Sequence, residues 1–237
     1  MSVLQRVGKH VARCHHTRAL SSRTDQKLQS HLRALLRETA QPVAVVTAAP
    51  TLTSAGNTGS PAQTPHLPFR GATLSSFTSI AMEPFPLVTF ALRVPSRMAA
   101  ALKAASPDAP SHMAISLLAA DQADAALIFS RPDLHPDPFA TMPYSLTEDG
   151  LPVLAGSLGA FSCKLVATPL PLYDMDFLAG NKDEVEALKE SIGQSELFIA
   201  RVTRMERQGE EMSDQKSPLI YHRRSFTSCY PVDPLPS

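Results

Sequence analysis

Residues 71–80 read GATLSSFTSI, and after Ala81 the apolar run MEPFPLVTFAL occupies residues 82–92. Six residues of the first stretch are Gly, Ser or Thr, and five of these carry a hydroxyl group. The spacing of Leu74, Phe77 and Ile80 matches neither the two-residue period of a strand nor the longer period of a helix. The stretch therefore has two interpretations: a polar turn in a β-fold, or a segment whose hydroxyls bind a ligand.

Short apolar runs separated by proline-rich breaks surround this stretch, and the chain has 21 prolines against 10 glycines. Strands are predicted at residues 43–47, from about 69 into the opening stretch, and at 86–92, 112–118, 158–167, 196–205 and 218–226. Helices are predicted at residues 25–39, 97–105, 122–129 and 182–191. Residues 49–68 are predicted to form a long loop, and residues 132–152 to be largely irregular. Strands without regular strand–helix alternation favour a mainly β (α+β) fold, a β-barrel with short helical insertions.

Charge is distributed unevenly along the chain. Residues 1–24 contain five basic side chains and no acid, and the whole chain has 22 of each, so the remainder carries a net charge of −5. An Arg-rich, acid-free segment with hydroxyl residues is typical of a mitochondrial transit peptide, although a disordered basic tail has the same composition. We therefore expect a transit peptide at residues 1–24, a domain at 25–237 and a location in the mitochondrial matrix. The acidic remainder argues against nucleic-acid binding.

Two further site classes are not expected from the sequence. The three cysteines, Cys14, Cys163 and Cys229, are far apart and form no Cys-x-x-Cys pair, so neither a disulfide framework nor a metal site is predicted. No apolar run approaches the roughly 20 residues that a membrane-spanning helix needs.

The hydroxyls of the opening stretch suit a phosphorylated cofactor such as FMN. Ser and Thr side chains satisfy the pyrimidine edge and the phosphate of such a ligand without requiring net charge. Ser96 is predicted to cap a helix that starts at Arg97, which would place a hydroxyl, backbone N–H groups and a guanidinium together as a phosphate seat. Composition alone leaves the polar turn open as the alternative.

Several blocks in a fixed order extend this argument. GATLSSFTSIAMEPFPLVTFALRVPSR is followed by HMAISLLAADQADAALIFSRP, then EDGLPVL, GAFSCKLV, ELFIARV and PLIYHRRSF. In this order the chain resembles the flavin reductase-like family of FMN-binding split β-barrels. The resemblance covers residues 31–230, with insertions at 50–68 and between 168 and 192.

The resemblance implies a homodimer that binds FMN, with FAD possible, and that oxidises NADH or NADPH to reduce the flavin for a small-molecule acceptor or a partner oxygenase. Arg131 would lie near the tail of the cofactor. The residues that the resemblance assigns to cofactor binding are Thr73, Ser75, Ser76, Phe77, Thr78, Ser79, Ser96, Arg97, Phe129 and Ser130. Phe77 and Phe129 have an equally good alternative as core residues.

The chain departs from the family pattern on the side of the electron donor. Many active members carry Gly-Asp-His before the strand that reads ELFIARV, and the His lies near the nicotinamide, whereas this chain has Gly193-Gln194-Ser195. Ser116 also stands where Asn is common. Hydride transfer needs close, aligned contact between nicotinamide and flavin. The alternative function is therefore a flavin-binding or flavin-free subunit of a mitochondrial complex with little turnover.

Overall fold

The computed structural model describes residues 14–49, 69–181, 193–206 and 216–229, with side chains from residue 25 onward. The helices are α1 (Cys14–Leu36), α2 (Arg97–Lys103), α3 (Ala123–Ser130) and α4 (Met175–Leu178). The first strands are β1 (Gln41–Pro42), β2 (Ala44–Ala48), β3 (Arg70–Leu74), β4 (Thr78–Ala81), β5 (Leu87–Val94) and β6 (Met113–Leu117). The later strands are β7 (Tyr144–Leu146), β8 (Pro152–Leu154), β9 (Gly159–Leu165), β10 (Leu170–Pro171), β11 (Gln194–Glu206), β12 (Ile220–His222) and β13 (Ser225–Thr227).

Antiparallel pairing builds one large sheet in the order β3-β2-β6-β9-β11-β5-β4, with β10 paired to β11. The sheet curls into a half-barrel, and the fold is mostly β with a few short helices, as the sequence predicts. The 13-residue strand β11 pairs with β5 over its first half and with β9 over its second half. This long strand therefore joins the two halves of the sheet.

The opening stretch divides between two strands: the predicted strand from about residue 69 ends inside it, as expected, and a second strand that was not predicted starts there. Strand β3 ends at Leu74, residues 75–77 turn, and β4 begins at Thr78 and pairs with β5. Thr73 pairs with Val45 of β2, whereas Thr78 pairs with Thr89 of β5. The irregular apolar spacing thus marks the point where the chain passes from one end of the sheet to the other.

Two apolar clusters occupy opposite faces of the sheet. The larger is covered by α2, whose Met98 and Leu102 are buried, and contains the stacked rings of Phe90 and Phe198 at 5.4 Å. The smaller lies under α3 and includes Phe129 and Phe139. Burial of alternate residues along β5 fits its period-two apolar pattern.

The other predicted elements agree with the structure to different degrees. The strands around residues 43–47, 86–92, 112–118, 158–167 and 196–205 and the helices after Ser96 and Asp121 are confirmed within one to two residues at most ends. The irregular prediction for 132–152 is wrong in part, because Tyr144–Leu146 and Pro152–Leu154 form a hairpin. The segment at 218–226 forms two strands around a turn at Arg223 and Arg224, where φ is positive. Residues 50–68 of the loop predicted at 49–68, and the helix predicted at 182–191, lie outside the described residues.

Helix α1 belongs to a separate small unit, formed by residues up to 40 together with 222–224. It starts before the predicted position, and its leucines 28, 32, 35 and 36 are exposed. Within this unit Arg223 Nε donates to Glu38 at 2.8 Å. Among the described residues, no helix combines the length and apolarity needed to cross a membrane.

Candidate functional site

A groove of about 810 Å³ lies beside the opening stretch. Its lining residues come from three segments: 69–76 in β3 and the turn after it, 91–98 at the end of β5 and the start of α2, and 128–138 at the end of α3 and in the loop that follows. The volume falls in the upper part of the range of about 300–1,000 Å³ typical of small-molecule sites. We refer to this cavity as the groove.

Three of the five hydroxyls in the opening stretch line the groove, those of Thr73, Ser75 and Ser76. Thr73 Oγ1 donates to the Ala126 carbonyl at 2.7 Å, which ties β3 to α3. Ser76 Oγ accepts from the Ala91 N–H at 2.9 Å and donates to the carbonyl of the same residue at 3.2 Å. Because both hydroxyl protons are already donated, these two oxygens face a ligand as hydrogen-bond acceptors.

The remaining hydroxyls of the stretch, on Thr78 and Ser79, lie outside the groove lining in strand β4, where both residues are exposed. Phe77 is also outside the lining. Its ring packs against Phe161 at 5.8 Å, beside the larger apolar cluster. The turn after Leu74 therefore separates the groove-facing half of the stretch from the half that completes the sheet.

Phe129 lines the groove but is 3% exposed, so most of its ring belongs to the core below. The ring contacts Phe139 at 5.1 Å and lies against Gly71, where a Cβ atom would stand 2.5 Å from Phe129 Cε1. A side chain at position 71 would displace the ring. Gly71 is thus required by close packing of α3 on β3 under the groove.

The predicted phosphate seat is at the groove rim. Ser96 Oγ accepts from the Ala99 N–H at 3.1 Å and caps α2, which confirms the predicted cap. Arg97 is exposed, lines the groove, and donates from Nη2 to the Pro132 carbonyl at 3.3 Å. This contact directs its guanidinium toward the loop that closes the groove. Ser130 also lines the groove, and its Oγ donates to the Leu127 carbonyl at 2.8 Å.

Sequence reasoning missed two cations of the groove, Arg70 and Arg93, which line it together with Arg97. Among its described lining residues Asp133 is the carboxylate, and it also faces Arg131 at 3.7 Å. Three guanidiniums against one carboxylate make the groove a site for an anion. Arg93 had a signal in the sequence, since it ends an apolar strand just before Pro95. Arg70 had none, because its place depends on how β3 packs beside α3.

The segment in place of Gly-Asp-His starts strand β11. Gly193 has φ +100°, and Ser195 pairs with Arg93 of the groove rim. Ser116 is fully buried, and its Oγ accepts from the Leu154 N–H at 3.1 Å, a structural role away from the groove. Arg131, which the resemblance places near the tail of the cofactor, is not among the lining residues.

The described residues that line the groove include no cysteine, and Cys163 lies in the core. Burial raises the pKa of Cys163 to about 12, so this side chain stays a neutral thiol at physiological pH. The polar chemistry of the groove therefore rests on hydroxyls and guanidiniums, which bind and orient a ligand.

Comparison with known proteins places this geometry in a family. Residues 36–230 match the family model described as "Flavin reductase like domain". Among solved structures, NADH:FAD oxidoreductase SgcE6 of Streptomyces globisporus C-1027, in complex with NAD and FAD fragments, is 23% identical with a TM-score of 0.58, over 86% of this chain and 94% of that one. Nitrilotriacetate monooxygenase component B from Mycobacterium thermoresistibile is 20% identical with a TM-score of 0.59, over 90% and 93%. BorF, the flavin reductase component of a bacterial two-component tryptophan halogenase, is 24% identical with a TM-score of 0.55, over 84% and 97%.

Proposed function

Because this chain belongs to the flavin reductase-like family, matched over residues 36–230, we propose that it binds a flavin in the groove and reduces it with NADH or NADPH. The observation that carries the proposal is the composition of the groove wall. Hydroxyl oxygens from the opening stretch and three guanidiniums line one cavity of about 810 Å³. A flavin requires acceptors, donors, cationic groups and an apolar wall, and the residues present fit it.

Each polar group of the groove wall suits a different part of a flavin. Arg97, beside the helix cap Ser96, would hold the phosphate by charge-assisted hydrogen bonds. Thr73 and Ser76 present acceptor oxygens, because their protons are donated to backbone carbonyls, and the N–H of the pyrimidine edge is a matching donor. Ser75 is exposed in the groove and free of this restriction, which suits the ribityl hydroxyls.

When bound, a flavin supplies two-electron redox chemistry, and the protein supplies binding and orientation. The chain's own contribution on the donor side is the start of β11, where Ser195 lies in register with Arg93. A serine hydroxyl is shorter than an imidazole and positions a nicotinamide less firmly. We therefore propose a reductase that binds flavin as tightly as family members with Gly-Asp-His do but turns over more slowly than they do.

Flavin titration of matched arginine variants tests the site. Arg97→Ala is expected to weaken FMN binding about 10–100-fold, the effect of losing a hydrogen bond to a charged group. Arg33→Ala removes an exposed guanidinium that is not among the lining residues and is expected to leave the affinity unchanged. Equal affinities for the wild type and both variants would place the flavin elsewhere.

A second candidate function is a flavin-binding subunit that supports a complex without turnover. The replacement Gly193-Gln194-Ser195 favours it, since the donor side is the part of the pattern that has changed. Anaerobic mixing of the flavin-loaded protein with NADH and NADPH separates the two. Bleaching faster than for free flavin supports the reductase, and bleaching at the free rate supports the subunit.

Our proposals on partner and location are supported by the family and by the N-terminal composition. One similar structure is the flavin reductase component of a two-component halogenase, and another is a component of a monooxygenase, so we propose delivery of reduced flavin to a partner oxygenase. We also propose a homodimer, which light scattering would detect as twice the monomer mass. Import into mitochondria with cleavage near residue 24 is the third proposal. An unprocessed N-terminus on protein recovered from mitochondria would contradict it.

A further inference from the structure

Helix α1 has an apolar face that lies open to solvent. Leu28, Leu32, Leu35 and Leu36 follow one another at i, i+4, i+7 and i+8, the spacing of residues on one side of a helix. Between 45% and 66% of each leucine is exposed. All side chains from residue 25 to residue 40 are exposed as well. We refer to these four leucines as the leucine face.

The end of α1 is nevertheless held in place. The N–H of Arg223 donates to the Arg37 carbonyl at 3.1 Å, and Arg223 Nε donates to Glu38 at 2.8 Å. A protein helix gains most of its stability when its apolar face packs against another surface. Single exposed leucines are common on protein surfaces, whereas a contiguous apolar stripe marks a site of interaction. The leucine face is therefore expected to contact a surface outside the described part of the chain.

The small unit that contains α1 differs in charge from the rest of the protein. Its residues 25–40 and 222–224 contain five basic and two acidic side chains, a net charge of +3. The other residues after position 24 contain 12 basic and 20 acidic side chains, a net charge of −8. A helix that combines an apolar face with basic side chains is typical of one that lies on an anionic membrane surface.

A second copy of the chain fits this face less well than a membrane does. The leucine face exposes on the order of 400 Å² of apolar surface. Two such faces packed together would bury about 800 Å², whereas stable interfaces bury at least about 1,200 Å². The cations of two copies would also repel each other. A membrane surface instead offers an apolar layer for the leucines and negative charge for the cations.

We propose that α1 binds the surface of a membrane that contains anionic lipids. The helix lies parallel to the surface, with the leucine face at the boundary between headgroups and acyl chains. The cations of the unit, among them Lys27, Arg37 and Arg224, lie near the lipid phosphates. This contact depends neither on flavin binding nor on the location of the protein in the cell.

Co-sedimentation of the full chain with lipid vesicles tests the proposal. One set of vesicles contains phosphatidylcholine alone, and the other contains equal parts of phosphatidylcholine and phosphatidylglycerol. The chain is expected to bind the mixed vesicles at least about 10-fold more tightly than the neutral ones. Failure to bind the mixed vesicles would overturn the proposal. Equal binding to both sets would overturn it too, because the cations would then have no part in the contact.

A double variant locates the contact on α1. Leu28→Gln combined with Leu32→Gln is expected to weaken binding to the mixed vesicles about 10–100-fold, and Gln is close to Leu in helix propensity. Leu146→Gln changes a leucine in β7 that is 56% exposed and serves as the control. Residues 1–24 are the same in all three proteins, so they cannot cause a difference. Circular dichroism and thermal unfolding show whether the variants fold.

Light scattering of the wild type and the double variant separates a membrane from a second copy. The two proteins are expected to have the same mass in solution, because the leucine face does not join subunits. A halved mass for the double variant, with vesicle binding unchanged, would assign the face to a subunit interface and overturn the proposal. Wild-type vesicle binding by the double variant at unchanged mass would overturn it as well.

Discussion

The groove and a second cavity, which share a rim at Pro95 and Ser96, use their polar side chains in different ways. On the groove side, the hydroxyls of Thr73 and Ser76 are bonded to backbone carbonyls, so their orientation is fixed by the sheet and by α3. In the second cavity, of about 230 Å³, Glu196 keeps a buried oxygen without a partner among the described residues. Ser195, which stands where many family members carry His, does not line this cavity. Under the proposed function, flavin binding would therefore depend on groups that the fold holds in place, and turnover on the start of β11, where the chain departs from the family pattern.

Replacing Ser195 with the His of many family members tests whether turnover and flavin binding are separate, and it has the largest expected effect. Ser195→His is expected to raise the rate of flavin reduction by NADH or NADPH by up to about 100-fold, the cost of a misplacement near 1 Å. The flavin dissociation constant should stay the same, because the groove wall is untouched. Anaerobic stopped-flow absorbance measures both quantities. Ser145→His, in the exposed strand β7, is the control, and an equal rise in both variants would show that position 195 has no special role.

The hydroxyls of the groove wall can be displaced by a substitution in the packing beneath the groove. Gly71→Ala places a Cβ 2.5 Å from the Phe129 ring, and overpacking of this kind costs about 1–3 kcal/mol of unfolding free energy. Flavin affinity should fall with it, since β3 carries Thr73. Chemical denaturation gives the free energy.

Gly159→Ala is the matched control for this substitution, because a Cβ at that position meets nothing within 4 Å. A similar loss of stability at both positions would show that the contact with Phe129 is not the cause.

How far the sequence predicts the molecule depends on whether a feature is local. Period-two burial along β5 and the Ser96 cap follow from neighbouring residues, and both are found in the structure. The split at Leu74 was not predicted, because β3 and β4 pair with strands at opposite ends of the sheet. Arg70 and Glu196 were missed for the same reason: each meets its cavity through packing between segments distant in sequence.

His112 lies outside both cavities, and its pKa predicts how the free energy of unfolding depends on pH. Burial lowers the pKa of His112, and the nearby Lys164 cation lowers it further. The folded protein thus keeps His112 neutral where the unfolded chain, with a pKa near 6.5, binds a proton. The free energy of unfolding is therefore expected to fall as the pH drops below about 6.5, by at most about 1.4 kcal/mol per pH unit.

Asn at position 112 separates this titration from the hydrogen bond that His112 Nδ1 accepts from the Leu165 N–H at 3.2 Å. His112→Asn keeps an acceptor there and removes the titrating group. Denaturant midpoints measured across this pH range should be flatter for the variant. An unchanged slope would assign the pH dependence to other groups.

The smallest expected effect concerns the outer cation of the groove. Arg93 is exposed at the end of β5, and exposed ion pairs contribute about 0.2–1 kcal/mol. Arg93→Ala is therefore expected to weaken FMN binding less than Arg97→Ala does, with the difference between wild type and Arg93→Ala shrinking as salt is added. A titration at low and high ionic strength checks this. A larger effect from Arg93 than from Arg97 would move the phosphate to the other end of the rim.

The claim that the groove is a flavin site is tested most directly by gel filtration of the protein after incubation with FMN, followed by the visible absorbance of the protein peak. The account predicts a flavin band that elutes with the wild-type protein and is strongly reduced for Arg97→Ala. A protein peak without flavin absorbance, with all FMN in the small-molecule fractions at saturating concentration, would contradict it.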